Sequence, residues 1–252
     1  MAKKESILGN FAEQKFINFL NGKKFNDIDD SRIKTLIKRA IYKNNLKNTN
    51  PTIKCFKYKK KNLKTKGNPK VDIIISFEEK ILNISLKSGS GNSLHEEPQE
   101  TFLLFLKELK AKDEILEKIS YHLHYHVKIR NTEIDNFFNL NKIKIINRVI
   151  NGRFNIYNEN SVDFYYAIQS LKNTMDNQKI SEIIKNGYFA SKKDVLNFMI
   201  NNNPDKKGRE TTCDVGLLTY QSYNRNKGAK PQFKWAQPYL DLKKIWNLNE
   251  KQ

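Results

Sequence analysis

The chain has 252 residues, 46 Lys and Arg against 27 Asp and Glu, a net charge of +19 and 38% hydrophobic residues. That is enough apolar material for one large core or two small ones, and no uncharged apolar run approaches the roughly 20 residues of a membrane span. The opening MAKKESILGNFAEQKF mixes charged and apolar residues where a signal peptide would be apolar, so a soluble, cytoplasmic protein is expected. Cys55 and Cys213 lack a second Cys or His at ligand spacing and support neither a disulfide framework nor a zinc knuckle. A positive excess this large points to a polyanion, nucleic acid first. Most of the charge is lysine, which suits contact with phosphates better than bidentate reading of guanine edges.

In chain order, Ile7, Phe11, Phe16, Ile17 and Leu20 recur at helical spacing between Ser6 and Asn21. Asp30-Ser31 can cap a second helix through Ile33, Leu36, Ile37 and Ile41. Ile53, Cys55 and Phe56 suggest a short strand, followed by a lysine-rich loop closed by Gly67 and Pro69, a phosphate contact or simply a solvated loop. The window VDIIISFEEKILNISLKSGSGNSLHEEPQETFLLFLKEL then reads as strand, turn, strand, Gly/Ser loop, helix. With Glu79-Lys80 at the turn, Ile73 faces Leu86, Ile75 faces Ile84 and Phe77 faces Leu82. Asp72 then lies opposite Lys87 on the other face, which Ser85 and Lys87 share because side chains alternate along a strand. Pro98 can take the first helical position, with Phe102, Phe105, Leu106 and Leu109 as the buried stripe and Glu100 in the first turn. Beyond residue 112, KISYHLHYHVKIR reads as a strand, INRVINGRFNIY as helix or strand, SVDFYYAIQSL as a buried element, and SKKDVLNFMINN as a helix with a Ser191 to Asp194 capping box. No repeat and no interdomain linker is evident; a single 1–252 domain is expected, with most of the catalytic core in 1–130 and a recognition region in 131–252.

An acid ending one strand, Ser-x-Lys on the next and a glutamate on the following helix suit metal-dependent hydrolysis of a phosphodiester. That reaction needs a divalent cation held by carboxylates, an activated water, and positive charge against the phosphorane. Asp72 and the Leu86 carbonyl can hold Mg2+, and Lys87 can orient the water. An exposed hairpin face with a cross-strand ion pair is the structural alternative.

Pro69, Asp72 and Ser85-Leu86-Lys87 resemble the PD-(D/E)XK motif, and the chain is similar to type II restriction endonucleases of the MspI kind. The likeness rests on GNPKVDIII with LNISLKSGSG and on VGLLTYQSYNRNKGAKPQFKW, about a quarter of the chain. It implies an α/β, restriction-endonuclease-like core with a mixed central β-sheet flanked by helices. It also implies Mg2+-dependent, site-specific cleavage of double-stranded DNA and a partner DNA methyltransferase, and leaves monomer or homodimer open. The chain departs from the motif at Ser85, where the family usually has Glu or Asp. Some members with Ser-x-Lys recover the carboxylate from the next helix, and here twelve residues separate Lys87 from Glu100. Glu100 is thus expected to be the second carboxylate, with Glu97 and Glu96 as rivals; a helix-dipole role would also explain it. Glu13 on the first helix is a further candidate acid.

By the same resemblance Ser222, Gln232 and Lys234 would contact base edges while Arg225, Lys227 and Lys230 hold phosphates, with two extra residues between Ser222 and Gln232. The alternative is a basic loop over packed Tyr220, Tyr223, Phe233 and Trp235. His122, His124 and His126 alternate along the expected strand nearly 7 Å apart, too spread to close a zinc site, and read as structural or DNA-facing. His95 is expected near the chemistry or on a phosphate. Against the endonuclease reading, and a structure-specific repair nuclease with the same site, stands a non-catalytic nucleic-acid-binding module, which predicts metal-independent, salt-sensitive binding to DNA that stays intact.

Overall fold

The computed structural model describes residues 2–43, 48–58, 71–78, 80–88, 92–152, 161–171, 176–204, 209–224 and 229–250. Helices α1 (Ala2–Leu20) and α2 (Arg32–Lys43) open the chain. The Ser31 hydroxyl accepts from the Lys34 amide at 3.3 Å, capping α2 as expected, and Ile33, Leu36, Ile37 and Ile41 are buried. Strand β1 (Lys54–Lys57) precedes the hairpin of β2 (Ile73–Phe77) and β3 (Lys80–Ser88). Its turn lies one residue earlier than expected, between Phe77 and Lys80, with Glu78 left-handed at φ 54°. Ile73 therefore pairs with Ile84 and Ile75 with Leu82. The shift is two residues, not one, so every side chain keeps its expected face.

Strand β4 (Asn92–Glu96) occupies part of the stretch read as a Gly/Ser loop, and α3 (Gln99–Glu108) follows with Pro98 as its N-cap, not its first helical residue. Next come α4 (Asp113–Tyr125), α5 (Thr132–Leu140) and α6 (Lys142–Asn151). Helix α4 corrects the strand expected over the histidine segment. Ile115, Leu116, Ile119 and Leu123 are buried at helical spacing, and that stripe outweighs the β-propensity of the Tyr residues. The chain continues through β5 (Phe164–Ile168), α7 (Asn177–Lys185), β6 (Tyr188–Ser191) and α8 (Lys192–Asn201). The Ser191 hydroxyl accepts from the Asp194 amide at 3.1 Å and donates to its carboxylate at 2.7 Å, the expected cap. Strands β7 (Thr212–Val215), β8 (Leu218–Asn224) and β9 (Ala229–Trp235) and helix α9 (Pro238–Asn249) complete it.

These strands form two sheets. The first has the order β1-β2-β3-β5-β6 and is mixed, because β3 runs parallel to β5 while its other pairs are antiparallel. One face buries Ile75, Ile84 and Tyr166 with Phe16, Leu20, Leu36 and Ile180 from α1, α2 and α7. The second sheet, β4-β9-β8-β7, is antiparallel, and its apolar face packs Tyr220 and Phe233 on Phe102 and Phe138. Tyr165 of β5 and Trp235 of β9 meet edge to face at 5.9 Å, joining the layers. The sheets do not divide the chain at residue 130: β5 and β6 come from beyond it and β4 from before it. Among the described residues no helix is long and apolar enough to cross a membrane.

Candidate active site

Asp72 precedes β2, and its amide donates to the Ile84 carbonyl at 3.0 Å, which ties it to β3. Its Oδ2 accepts from the Ser85 hydroxyl at 3.1 Å and the Leu86 amide at 2.9 Å and lies 3.6 Å from Lys87 Nζ. Lys87 Nζ also donates to Ser85 Oγ at 2.6 Å and reaches the Leu86 carbonyl at 3.5 Å. Asp72, Ser85 and Lys87, placed on one face by alternation alone, thus form one connected cluster. Ser85 is 1% exposed and Lys87 3%, so the ammonium reaches its partners inside the fold. A hydroxyl accepts from the lysine and donates to the aspartate at once, whereas an ionised carboxylate at that position could only accept. Ser85 therefore links the pair without adding negative charge. Tyr165 stands beside Ser85 in the parallel register, and its phenol is pushed up by burial and by the nearby Asp72 charge.

Glu13 belongs to this neighbourhood. Helix α1 brings its half-buried side chain to Lys57 Nζ at 2.6 Å. Burial holds its carboxyl above the ordinary carboxylate range, Lys57 opposes the shift, Asp72 adds to it and Lys87 counters it. A single acid on an amphipathic helix carried little signal in the sequence, because proximity to the hairpin depends on how α1 lies on the sheet.

The acids after Lys87 are placed elsewhere. Glu100 is exposed in the first turn of α3 and lines a groove with Leu103, Lys107 and Glu117, and among the described residues no hydrogen bond or ion pair joins it to Asp72. Glu97 is buried and forked by Arg148, at 3.1 Å to Nε and 2.7 Å to Nη2, with His95 Nε2 at 3.3 Å. Burial alone would raise its carboxyl, but His95 and Arg148 together outweigh that and hold it below the ordinary value. Glu96 accepts from Gln232 at 2.6 Å and Ser93 at 3.3 Å within the second sheet. The insertion of β4 accounts for all three placements, since it carries the segment away from the hairpin into the other sheet. Among the described residues no group of three or more His, Cys, Asp or Glu side chains could cage a metal.

On the second sheet, Thr219, Gln221, Gln232 and Lys234 share the polar face, with Lys234 opposite Thr219 and Gln232 opposite Gln221. Ser222 alternates to the other face of β8, where its hydroxyl donates to the Leu123 carbonyl at 3.1 Å, yet it lines the same cleft as Gln221 and Lys234. Lys230 is exposed. Arg225, Lys227, Pro69, Gly67 and the lysine-rich loop fall outside the described residues. A cleft of about 670 Å³ beside this face is lined by Arg209, Lys234, His126, Thr219, Gln221 and Ser222 and, among the described residues, by no acidic side chain. Helical geometry splits the histidines: His122 is buried and its Nδ1 donates to the Val127 carbonyl at 2.7 Å, His124 is exposed, and His126 is the left-handed C-cap of α4.

The fold is similar to that of the restriction endonuclease MspI, crystallised in complex with its cognate DNA. The two chains are 16% identical with a TM-score of 0.52, and the match covers 80% of this chain and 77% of that one. At that identity the likeness is one of fold, a restriction-endonuclease-like α/β architecture. No family model and no curated protein matches the chain.

Proposed function

We propose that the chain is a type II restriction endonuclease that hydrolyses phosphodiester bonds of double-stranded DNA at a short specific site and requires Mg2+. The observation that carries the reading is the convergence of the Ser85 hydroxyl, the Leu86 amide and Lys87 Nζ on one oxygen of Asp72. The hydrogen bonds and the ion pair of Asp72 among the described residues all meet Oδ2, so Oδ1 is the oxygen it would offer a cation. With Glu13 and the Leu86 carbonyl it would offer only oxygen donors, and a hard ion that keeps several waters and binds through one or two carboxylates suits such donors. Held there, Mg2+ would supply Lewis-acid charge to the scissile phosphate. Lys87 orients the attacking water and places its charge against that developing on the phosphorane, while Ser85 fixes the ammonium. We assign the second carboxylate to Glu13, whose charge is coupled to Asp72 and Lys87, in preference to Glu100. The net charge of +19 supplies the phosphate attraction, with Lys230 and Lys234 on the second sheet and Arg225 and Lys227 between β8 and β9 in the sequence. The MspI likeness supports duplex DNA as substrate; a cytoplasmic setting and a protecting methyltransferase as partner complete the proposal.

The test is incubation of the chain with unmethylated phage and plasmid DNA in Mg2+ and in EDTA. Discrete fragments that appear only with Mg2+ are expected. DNA that is retarded on a gel yet stays intact under every metal tried would replace the endonuclease with a non-catalytic binding module.

A further inference from the structure

A line of side chains crosses the polar face of the second sheet. Glu96 on β4 pairs with Gln232 on β9, and Gln232 pairs with Gln221 on β8. Gln232 Nε2 donates to Glu96 Oε1 at 2.6 Å, and Gln221 Nε2 donates to Gln232 Oε1 at 2.9 Å. An amide end turns over freely unless a neighbour distinguishes its two atoms. Glu96 makes that distinction, because an ionised carboxylate only accepts. Gln232 must turn its NH2 to Glu96 and its oxygen to Gln221, so Gln221 must turn its NH2 to Gln232. Gln232 is 3% exposed and both ends of its amide are engaged, which removes it from base contact. Gln221 is half-buried at the cleft, with its carbonyl oxygen and one amide hydrogen uncommitted among the described residues.

We propose that Gln221 is a base-reading residue of this protein, that it reads a base carrying an exocyclic amine on its major-groove edge, and that Glu96 and Gln232 are positioning residues that set the polarity of its amide. The proposal rests on the endonuclease reading and deepens it. The free oxygen accepts from adenine N6 or cytosine N4, and the remaining amide hydrogen can serve adenine N7. Guanine O6 or thymine O4 at the same point would set oxygen against oxygen. Neighbouring Lys234, one pair along opposite Thr219, adds a donor for the phosphate or base beside it.

The experiment selects bound duplexes from a randomised pool with Ca2+ in place of Mg2+, for the full chain and its Gln221→Ala and Glu96→Gln variants. The unsubstituted chain should select A or C at one position of its site. Gln221→Ala should lower that preference roughly 5- to 150-fold at that position and leave the rest of the site unchanged. Glu96→Gln, which keeps shape but lets the relay reverse, should relax the same position, a readout that a purely structural role would not move. Replacing the selected base by an analogue without the amine should weaken the unsubstituted chain and not Gln221→Ala. If Glu96→Gln does not fold, Gln221→Ala and the analogue decide alone. Sequence-specific binding whose preferences survive Gln221→Ala at every position overturns the proposal and leaves the endonuclease reading standing. Binding without any sequence preference overturns both.

Discussion

Replacing Glu97 with glutamine should destabilise the fold. Glu97 and Arg148 form a two-pronged pair at 3.1 and 2.7 Å, with side chains 1% and 12% exposed, and the guanidinium lies over the Phe105 ring at 4.1 Å. Removing one partner of a buried pair leaves the other charge uncompensated and costs about 3–5 kcal/mol. Glutamine keeps the volume and one acceptor, so the low end applies, about 3 kcal/mol, or a fall in Tm of roughly 6–12 °C for a chain of this size. The pH dependence has a definite sign. The folded carboxyl is held below its ordinary 4.5, so the stabilisation is fully present above that value and is lost as pH falls through the folded pKa. Thermal unfolding of Glu97→Gln and the unsubstituted chain, followed by circular dichroism from neutral to acid pH, should give curves that converge in acid. Because the carboxylate is committed to Arg148, Mg2+ should raise the Tm of both equally. A Glu97→Gln protein within about 0.5 kcal/mol of the unsubstituted chain at neutral pH, or a difference that widens in acid, would refute the reasoning.

Other substitutions test neighbouring points. Glu13→Gln should slow cleavage by roughly a hundredfold while Glu100→Gln stays within about threefold. Comparable losses in both variants would return Glu100 to the site. Gly187→Ala should cost about 3 kcal/mol in urea unfolding, because the new methyl collides with the Tyr166 ring and stands 2.9 Å from the Ala167 carbonyl. The ring cannot yield cheaply, since its hydroxyl donates to the Ile184 carbonyl at 2.5 Å. Burial pushes the Cys55 and Cys213 thiols up to about 12, so a maleimide at neutral pH should label neither in the native chain and both after unfolding.

The Asp72, Ser85 and Lys87 cluster was legible because a strand's period of two decides which residues share a face even when the register is wrong by two. Helices α2 and α8 were legible through Ser31 and Ser191, whose hydroxyls name the first turn. The histidine segment misled because Tyr121 and Tyr125 favour strands locally, while the decisive stripe from Ile115 to Leu123 lies mostly upstream. The second carboxylate was harder for a different reason. Counting twelve residues from Lys87 to Glu100 assumes a loop between them, but Asn92–Glu96 pairs with β9, about 140 residues later in the chain. Non-local pairing of that kind leaves little local pattern, whereas the faces of Ser222 and Gln232 follow from the register of the β8–β9 hairpin, which sets Ser222 opposite Pro231 and Gln232 opposite Gln221.

The most direct test of the account is Lys87→Ala. The variant and the unsubstituted chain are each mixed with unmethylated duplex DNA, and cleavage in Mg2+ and binding in Ca2+ are measured side by side. Discrete fragments are expected from the unsubstituted chain, none from Lys87→Ala, and the same DNA retained by both on a gel. Fragments from Lys87→Ala at the unsubstituted rate would contradict it and remove the hairpin cluster from the chemistry.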